Sequence, residues 1–270
     1  MSDNDQQKHT GFAAATPPEM ATVITTDTDG LTTGTAYLNV DGQAVPVYCA
    51  LPAGQRDLPV ILVVSEIFGV HEHIADVARR FAKLGYLALA PELFVRQGDP
   101  STIADIPTLF RDIVSKAPDA QVMKDLDACV EWAAQNGGNV DRLGITGFCW
   151  GGRITWLYAH HNPQVKAGVA WYGRLSGDTN ANQTRYPVDI GASLSVPVLG
   201  LYGGQDTGIP LDTVDAMKAA LAQGSSGSDI VVYPDAGHAF YADYRPSYNE
   251  SDAQDGWRRA LAWLEQHGVA

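Results

Sequence analysis

The chain has 270 residues, 45% of them hydrophobic, enough for one large core or at most two small ones. Its 18 lysines and arginines stand against 31 aspartates and glutamates, a formal charge of −13. With no basic run to track phosphates, that balance argues against nucleic-acid binding. The absence of any stretch near the ~20 consecutive apolar residues that cross a bilayer argues against a membrane span.

In chain order, residues 1–22 are polar, carry Ala and Pro without period, and read as a flexible leader to a domain over 23–270. The leader has no secretory signal pattern. Cys49, Cys129 and Cys149 are odd in number and lack metal-ligand spacing. Together these point to a reducing compartment, the cytoplasm, with the periplasm left open if the N-terminus is processed. A strand near 35–40 pairs with one at 45–50 across the turn signal Asp41-Gly42. A strand at 59–65 follows, then a helix at 73–84 whose Ile74, Val77, Ala78 and Phe81 form one apolar stripe. A strand at 86–90 precedes helices at 104–116 and 120–135, the second carrying Val122, Leu126, Cys129, Val130 and Trp132 toward the core. Strands at 143–147, 167–171, 197–202 and 229–233 then alternate with helices at 152–161, 211–223 and 252–267. Alternation of this kind predicts an α/β fold, a mostly parallel sheet with helices on both faces.

The segment Gly147-Phe148-Cys149-Trp150-Gly151 joins a buried strand to a helix. It is the nucleophile-elbow pattern G-x-S-x-G with cysteine at the serine position. The nucleophile sits on a sharp turn where side chains two residues away would strike strand and helix. The turn also puts the thiol at a helix N-terminus, whose dipole favours thiolate. Cys49 and Cys129 fall in strand and helix patterns and read as inert core thiols.

Partners to such a thiol follow on loops after later strands. His238 lies just past strand 229–233 and is the candidate base. His71 and His73 are only two apart at a helix start and have no evident third ligand, so no metal is expected. Asp206, after strand 197–202, is the candidate acid that orients the imidazole. Asp235, three residues before His238, reads as a turn residue, and Asp178 and Asp189 as solvated loop charges. Oxyanion donors are expected from the backbone N–H of Trp150 and of Ile67, in the loop after strand 59–65. Phe68, Phe94, Trp150, Trp171 and Tyr172 lie near strand ends, where an acyl pocket and the core are both open to them.

The segments Glu66-Ile67-Phe68-Gly69, Pro91-Glu92-Leu93-Phe94, Gly147-Phe148-Cys149-Trp150-Gly151-Gly152, Asp206 and Ala236-Gly237-His238-Ala239-Phe240 together resemble the dienelactone hydrolase family of α/β-hydrolases. The resemblance runs from about residue 30 to the C-terminus. It implies an eight-stranded α/β-hydrolase sheet and a Cys149-His238-Asp206 triad that cleaves an ester or lactone without a cofactor. It also implies that Glu66 contacts the resting thiol and takes part in its activation. Members of the family specific for dienelactone hold the substrate carboxylate with two arginines. Arg96 matches the first, whereas Ala242 stands at the second and Arg245 lies three residues beyond. Phe68 and Trp171 complete the expected substrate contacts.

These residues predict a cysteine-dependent hydrolase of small esters or lactones, acting as a monomer or small homo-oligomer. Two alternatives use the same thiol: acyl transfer to an alcohol or thiol acceptor, and a redox-responsive protein on a hydrolase scaffold.

Overall fold

Asp41 and Gly42 both adopt positive φ, 52° and 82°, as a two-residue type I′ turn requires. They close a hairpin of β1 (Leu31–Val40) and β2 (Gln43–Pro52). β1 runs four residues further upstream than expected, because Leu31-Thr32-Thr33-Gly34 has no apolar alternation to announce it. The computed structural model describes residues 21–270, so the expected leader lies, but for its last two residues, outside the described residues. Thr22 and Ile24 are tied to the chain's far end, the Thr22 hydroxyl donating to the Asp243 carbonyl and the Ile24 N–H to the Asp243 carboxylate.

The other strands are β3 (Leu58–Val64), β4 (Leu87–Pro91), β5 (Gly138–Phe148), β6 (Ala167–Trp171), β7 (Val198–Gly203) and β8 (Asp229–Tyr233). They form an eight-stranded sheet in the order β1-β2-β4-β3-β5-β6-β7-β8. β2 is antiparallel to β1 and β4, and every pairing from β4 to β8 is parallel. Every residue of β3, Leu-Pro-Val-Ile-Leu-Val-Val, is buried, as a strand covered on both faces must be. β5 starts earlier than expected, since Gly138 and Asn139 pair with Leu58 and Pro59 across a register shift.

The helices are α1 (Glu72–Lys83), α2 (Ile106–Asp112), α3 (Asp119–Gln135), α4 (Trp150–His161), α5 (Pro187–Ile190), α6 (Leu211–Leu221) and α7 (Glu250–Gln266). The α1 stripe is fully buried and packs on β2 and β4; α4 packs on β5 and β6. The helix expected over 104–116 breaks at Ile113 into α2 and a 3₁₀ turn over Val114–Lys116. α5 was not expected. Asp189, read as a solvated charge, instead accepts from the Tyr186 N–H at 2.8 Å and caps this short helix. Among the described residues no helix is long and apolar enough to cross a membrane.

From β3 the chain passes outward to β4 and then returns to β5 on the other side of β3. The loops after β3 and β5 therefore diverge, leaving a crevice at the strands' carboxyl ends where such sheets bind ligands.

Candidate active site

Cys149 follows β5 and immediately precedes the first turn of α4, with φ 55° and ψ −114°. A non-glycine residue in that region carries strain of about 1–3 kcal/mol and stays there only when its surroundings enforce it. Three contacts enforce it here. The Cys149 N–H donates to the Trp171 carbonyl at 3.0 Å, while its own carbonyl accepts from Gly152 and Arg153. Glycines supply the remaining room. A Cβ on Gly147 would strike the Gly151 carbonyl, and one on Gly151 the Val64 and Ser65 carbonyls. Backbone approach at Gly151 thus presses the elbow against the loop after β3, the one that carries Ile67.

His238 Nδ1 lies 2.6 Å from Asp206 Oδ2, and Asp206 Oδ1 accepts from the Gly208 N–H at 2.9 Å. Asp206 is buried and His238 half-buried. Burial alone would lower the imidazole's pKa, but hydrogen bonds with Asp206 and Cys149 outweigh it and raise it to about 10. A histidine raised in the fold stabilises it fully below the unfolded value of about 6.5, and that contribution fades as pH climbs toward 10. The stability gap between wild type and His238→Ala is therefore expected to be widest at pH 6 and to narrow by pH 10. Thermal melts across that range check this, and a gap that grows with pH would contradict it.

A cavity of about 310 Å³ opens over these groups, and Cys149, His238, Asp206, Glu66, Ile67 and Trp150 all line it. Trp150 is the first residue of α4, so its N–H has no intrahelical acceptor. The Ile67 N–H has no backbone partner among the described residues. Phe68, Tyr172 and Arg245 also line the cavity, the Arg245 guanidinium lying 5.8 Å from the Phe68 ring centre. Tyr172 is fully buried, has φ 37°, and its hydroxyl has no partner among the described residues.

Glu66 is buried but is not hydrogen-bonded to the thiol. Its Oε2 takes His71 Nε2 at 3.1 Å and the Tyr244 hydroxyl at 2.5 Å, while Oε1 is unpartnered. His73 is bound through Nδ1 to Asp243. Among the described residues no cluster of His, Cys, Asp and Glu is placed to hold a metal ion. Cys49 and Cys129 are buried in the core, and burial pushes the Cys49 thiol up to about 12.

Two expected substrate contacts are corrected. Arg96 does not line the cavity: its guanidinium grips Asp125 at 2.7 and 3.0 Å and the Val40 carbonyl at 3.1 Å. Trp171 is a core residue, 1% exposed, whose indole N–H donates to Thr146; Phe94 is likewise core. Wall residues that went unrecognised include Ile106, Phe110, Val114, Arg174, Tyr186 and Ile209. For the first three a signal existed, since they recur at intervals of four along the helix expected over 104–116. Arg174 was also visible, as the first charge beyond strand 167–171.

Residues 45–268 match the family model described as the dienelactone hydrolase family. A Methylorubrum extorquens protein named "Putative carboxymethylenebutenolidase" is 59% identical over 263 residues, covering 97% of this chain and 90% of its own. One of the same name from Salmonella typhimurium is 57% identical over 259 residues, 96% of each chain. The crystal structure of a "Putative Dienelactone Hydrolase" from Klebsiella pneumoniae superposes with a TM-score of 0.86 at 57% identity, covering 87% of this chain and 99% of that one.

Proposed function

Since the chain belongs to the dienelactone hydrolase family, hydrolases of lactone and ester bonds, we propose that it works through a thioester on Cys149. The observation that carries this is one constellation. A cysteine held at φ 55° on a helix N-terminus shares a cavity with a histidine bonded to a buried aspartate.

Asp206 accepts from His238 Nδ1–H and leaves Nε2 for the thiol and substrate. With substrate bound, His238 takes the thiol's proton and sulfur attacks the carbonyl as thiolate. Charge that develops on the carbonyl oxygen is met by the N–H groups of Ile67 and Trp150. As the tetrahedral intermediate collapses, the C–O bond breaks, His238 protonates the leaving oxygen and a thioester remains. Water then attacks the thioester and gives its proton to His238. The carboxylic product leaves as sulfur is expelled, and His238 returns the proton to the sulfur, restoring the resting thiol. Glu66 assists by accepting the thiol hydrogen bond in the resting state.

The substrate is a small lactone or ester, and its anionic group, where it has one, is met by Arg245. Arg96 is committed to Asp125, position 242 is alanine and the wall residue Arg153 is bound to Asp119; of the other two arginines on the cavity wall, Arg174 is exposed and Arg245 is half-buried beside Phe68. A hydrolysis panel of dienelactone, neutral lactones and p-nitrophenyl esters tests this. Arg245→Ala is expected to raise KM for dienelactone about tenfold, the worth of one charge-assisted hydrogen bond, and to leave neutral esters within about twofold. Equal losses on charged and neutral substrates would remove Arg245 from carboxylate recognition. Transfer to added alcohols outrunning hydrolysis would make the enzyme an acyltransferase.

A further inference from the structure

Glu66 poses a physical problem that the reaction alone does not solve. A carboxylate 1% exposed strongly favours its neutral form unless hydrogen bonds and charges compensate. The groups that face it come from every neighbouring element. His71 and His73 stand at the start of α1, Cys149 at the elbow and Tyr172 after β6, with Tyr244 and Arg245 after β8. Of these, only His71 and Tyr244 bond it, and both do so on the same oxygen, Oε2. Oε1 is fully buried and has no partner among the described residues, in a side chain that lines the cavity together with Cys149.

We propose that His71 and Tyr244 are positioning residues that clamp Glu66 by one oxygen and so hold the other free for the Cys149 thiol. An ionised carboxylate only accepts hydrogen bonds, so His71 must carry hydrogen on Nε2 and Tyr244 must donate its hydroxyl proton. Burial by itself would raise the Glu66 carboxyl; His71, His73 and Tyr244 outweigh it and hold the group at about 2. The clamp is in turn supported. The His71 ring packs edge-on against Tyr244 at 5.0 Å and stacks on His73 at 6.1 Å, and His73 is anchored to Asp243, which also receives Arg80.

The inference rests on the reading of Cys149 and Glu66 given above. Its test measures ester hydrolysis, and iodoacetamide alkylation of Cys149, against pH for wild type, Glu66→Gln, His71→Ala, His71→Gln and Tyr244→Phe. Tyr244→Phe removes only an oxygen atom, and thermal melts establish that each variant is folded. His71→Ala and Tyr244→Phe are each expected to lower kcat about tenfold or more, with KM within about twofold. The acid-side fall of both rates is expected to move up by about one pH unit or more as the less compensated carboxyl takes a proton. His71→Gln, which offers an amide N–H near the position of Nε2, should recover most of the kcat lost in His71→Ala. If Glu66→Gln is impaired while His71→Ala and Tyr244→Phe match wild type in kcat and pH profile, the positioning role is overturned and the role of Glu66 stands. If Glu66→Gln itself matches wild type, both fall together.

Discussion

Cys149→Ala is expected to lower kcat/KM for p-nitrophenyl acetate and for dienelactone by about 10⁴-fold or more, since removing a nucleophile forfeits nearly all of what the linked groups contribute. The oxyanion donors and the cavity remain, so binding of substrate should persist while turnover stops. Alanine fits the position sterically, though φ 55° is no easier for it than for cysteine, so the melting temperature should change little. Cys149→Ser is expected to fall between the two, because a serine hydroxyl at this site is a far weaker nucleophile at neutral pH than a thiolate. Steady-state kinetics on the three proteins decide the point. Retained hydrolysis in Cys149→Ala would mean that water is activated directly or that another residue attacks.

The second large effect concerns the backbone under the thiol. A methyl group on Gly152 would lie 2.5 Å from the Trp171 carbonyl oxygen and 2.9 Å from the Gly173 nitrogen, and neither is the flexible end of a side chain. Gly152→Ala must therefore push α4 away from the end of β6. Overpacking of this kind costs about 1–3 kcal/mol, a fall in melting temperature of about 2–10 °C at this chain length. Activity should fall further than stability, because the same shift moves Cys149 relative to His238 and displaces the Trp150 N–H. Gly34→Ala, in β1 with nothing within 4 Å of the new Cβ, is the matched control and should be neutral in both. Equal melting temperatures for Gly152→Ala and wild type would mean that the helix can move without cost.

β3, β4, β6 and β7 were legible because each is a short apolar run between turn residues, and burial on both faces leaves such runs little else to be; β1 and β2 were legible from the Asp41-Gly42 turn between them. The elbow was legible for a related reason: a thiol at the end of a buried strand, flanked by glycines, has few structural explanations. Asp206 and His238 followed from their places after β7 and β8. Arg96 shows where motif matching stops. A match locates a residue's backbone, whereas its partner Asp125 lies on α3, 29 positions away, and no local pattern announces that pairing. Trp171 likewise sits at the expected strand end but points into the core beside Tyr241, at 4.4 Å between ring centres. Much of the cavity wall, among it Tyr186 and Ile209, comes from irregular segments without period. His71 was weighed only as half of a metal pair with His73, and set aside, because spacing shows neighbours along the chain, while its partner Glu66 is set across a turn by the loop's fold.

The most direct test of the thioester on Cys149 is to quench wild-type enzyme rapidly during turnover of a slow aryl ester and map the acyl group by peptide mass spectrometry. An acyl mass on the peptide that contains Cys149, lost on treatment with neutral hydroxylamine and absent from Cys149→Ala, is the predicted result. Continued turnover with no adduct, or an adduct on any other residue, would contradict the account.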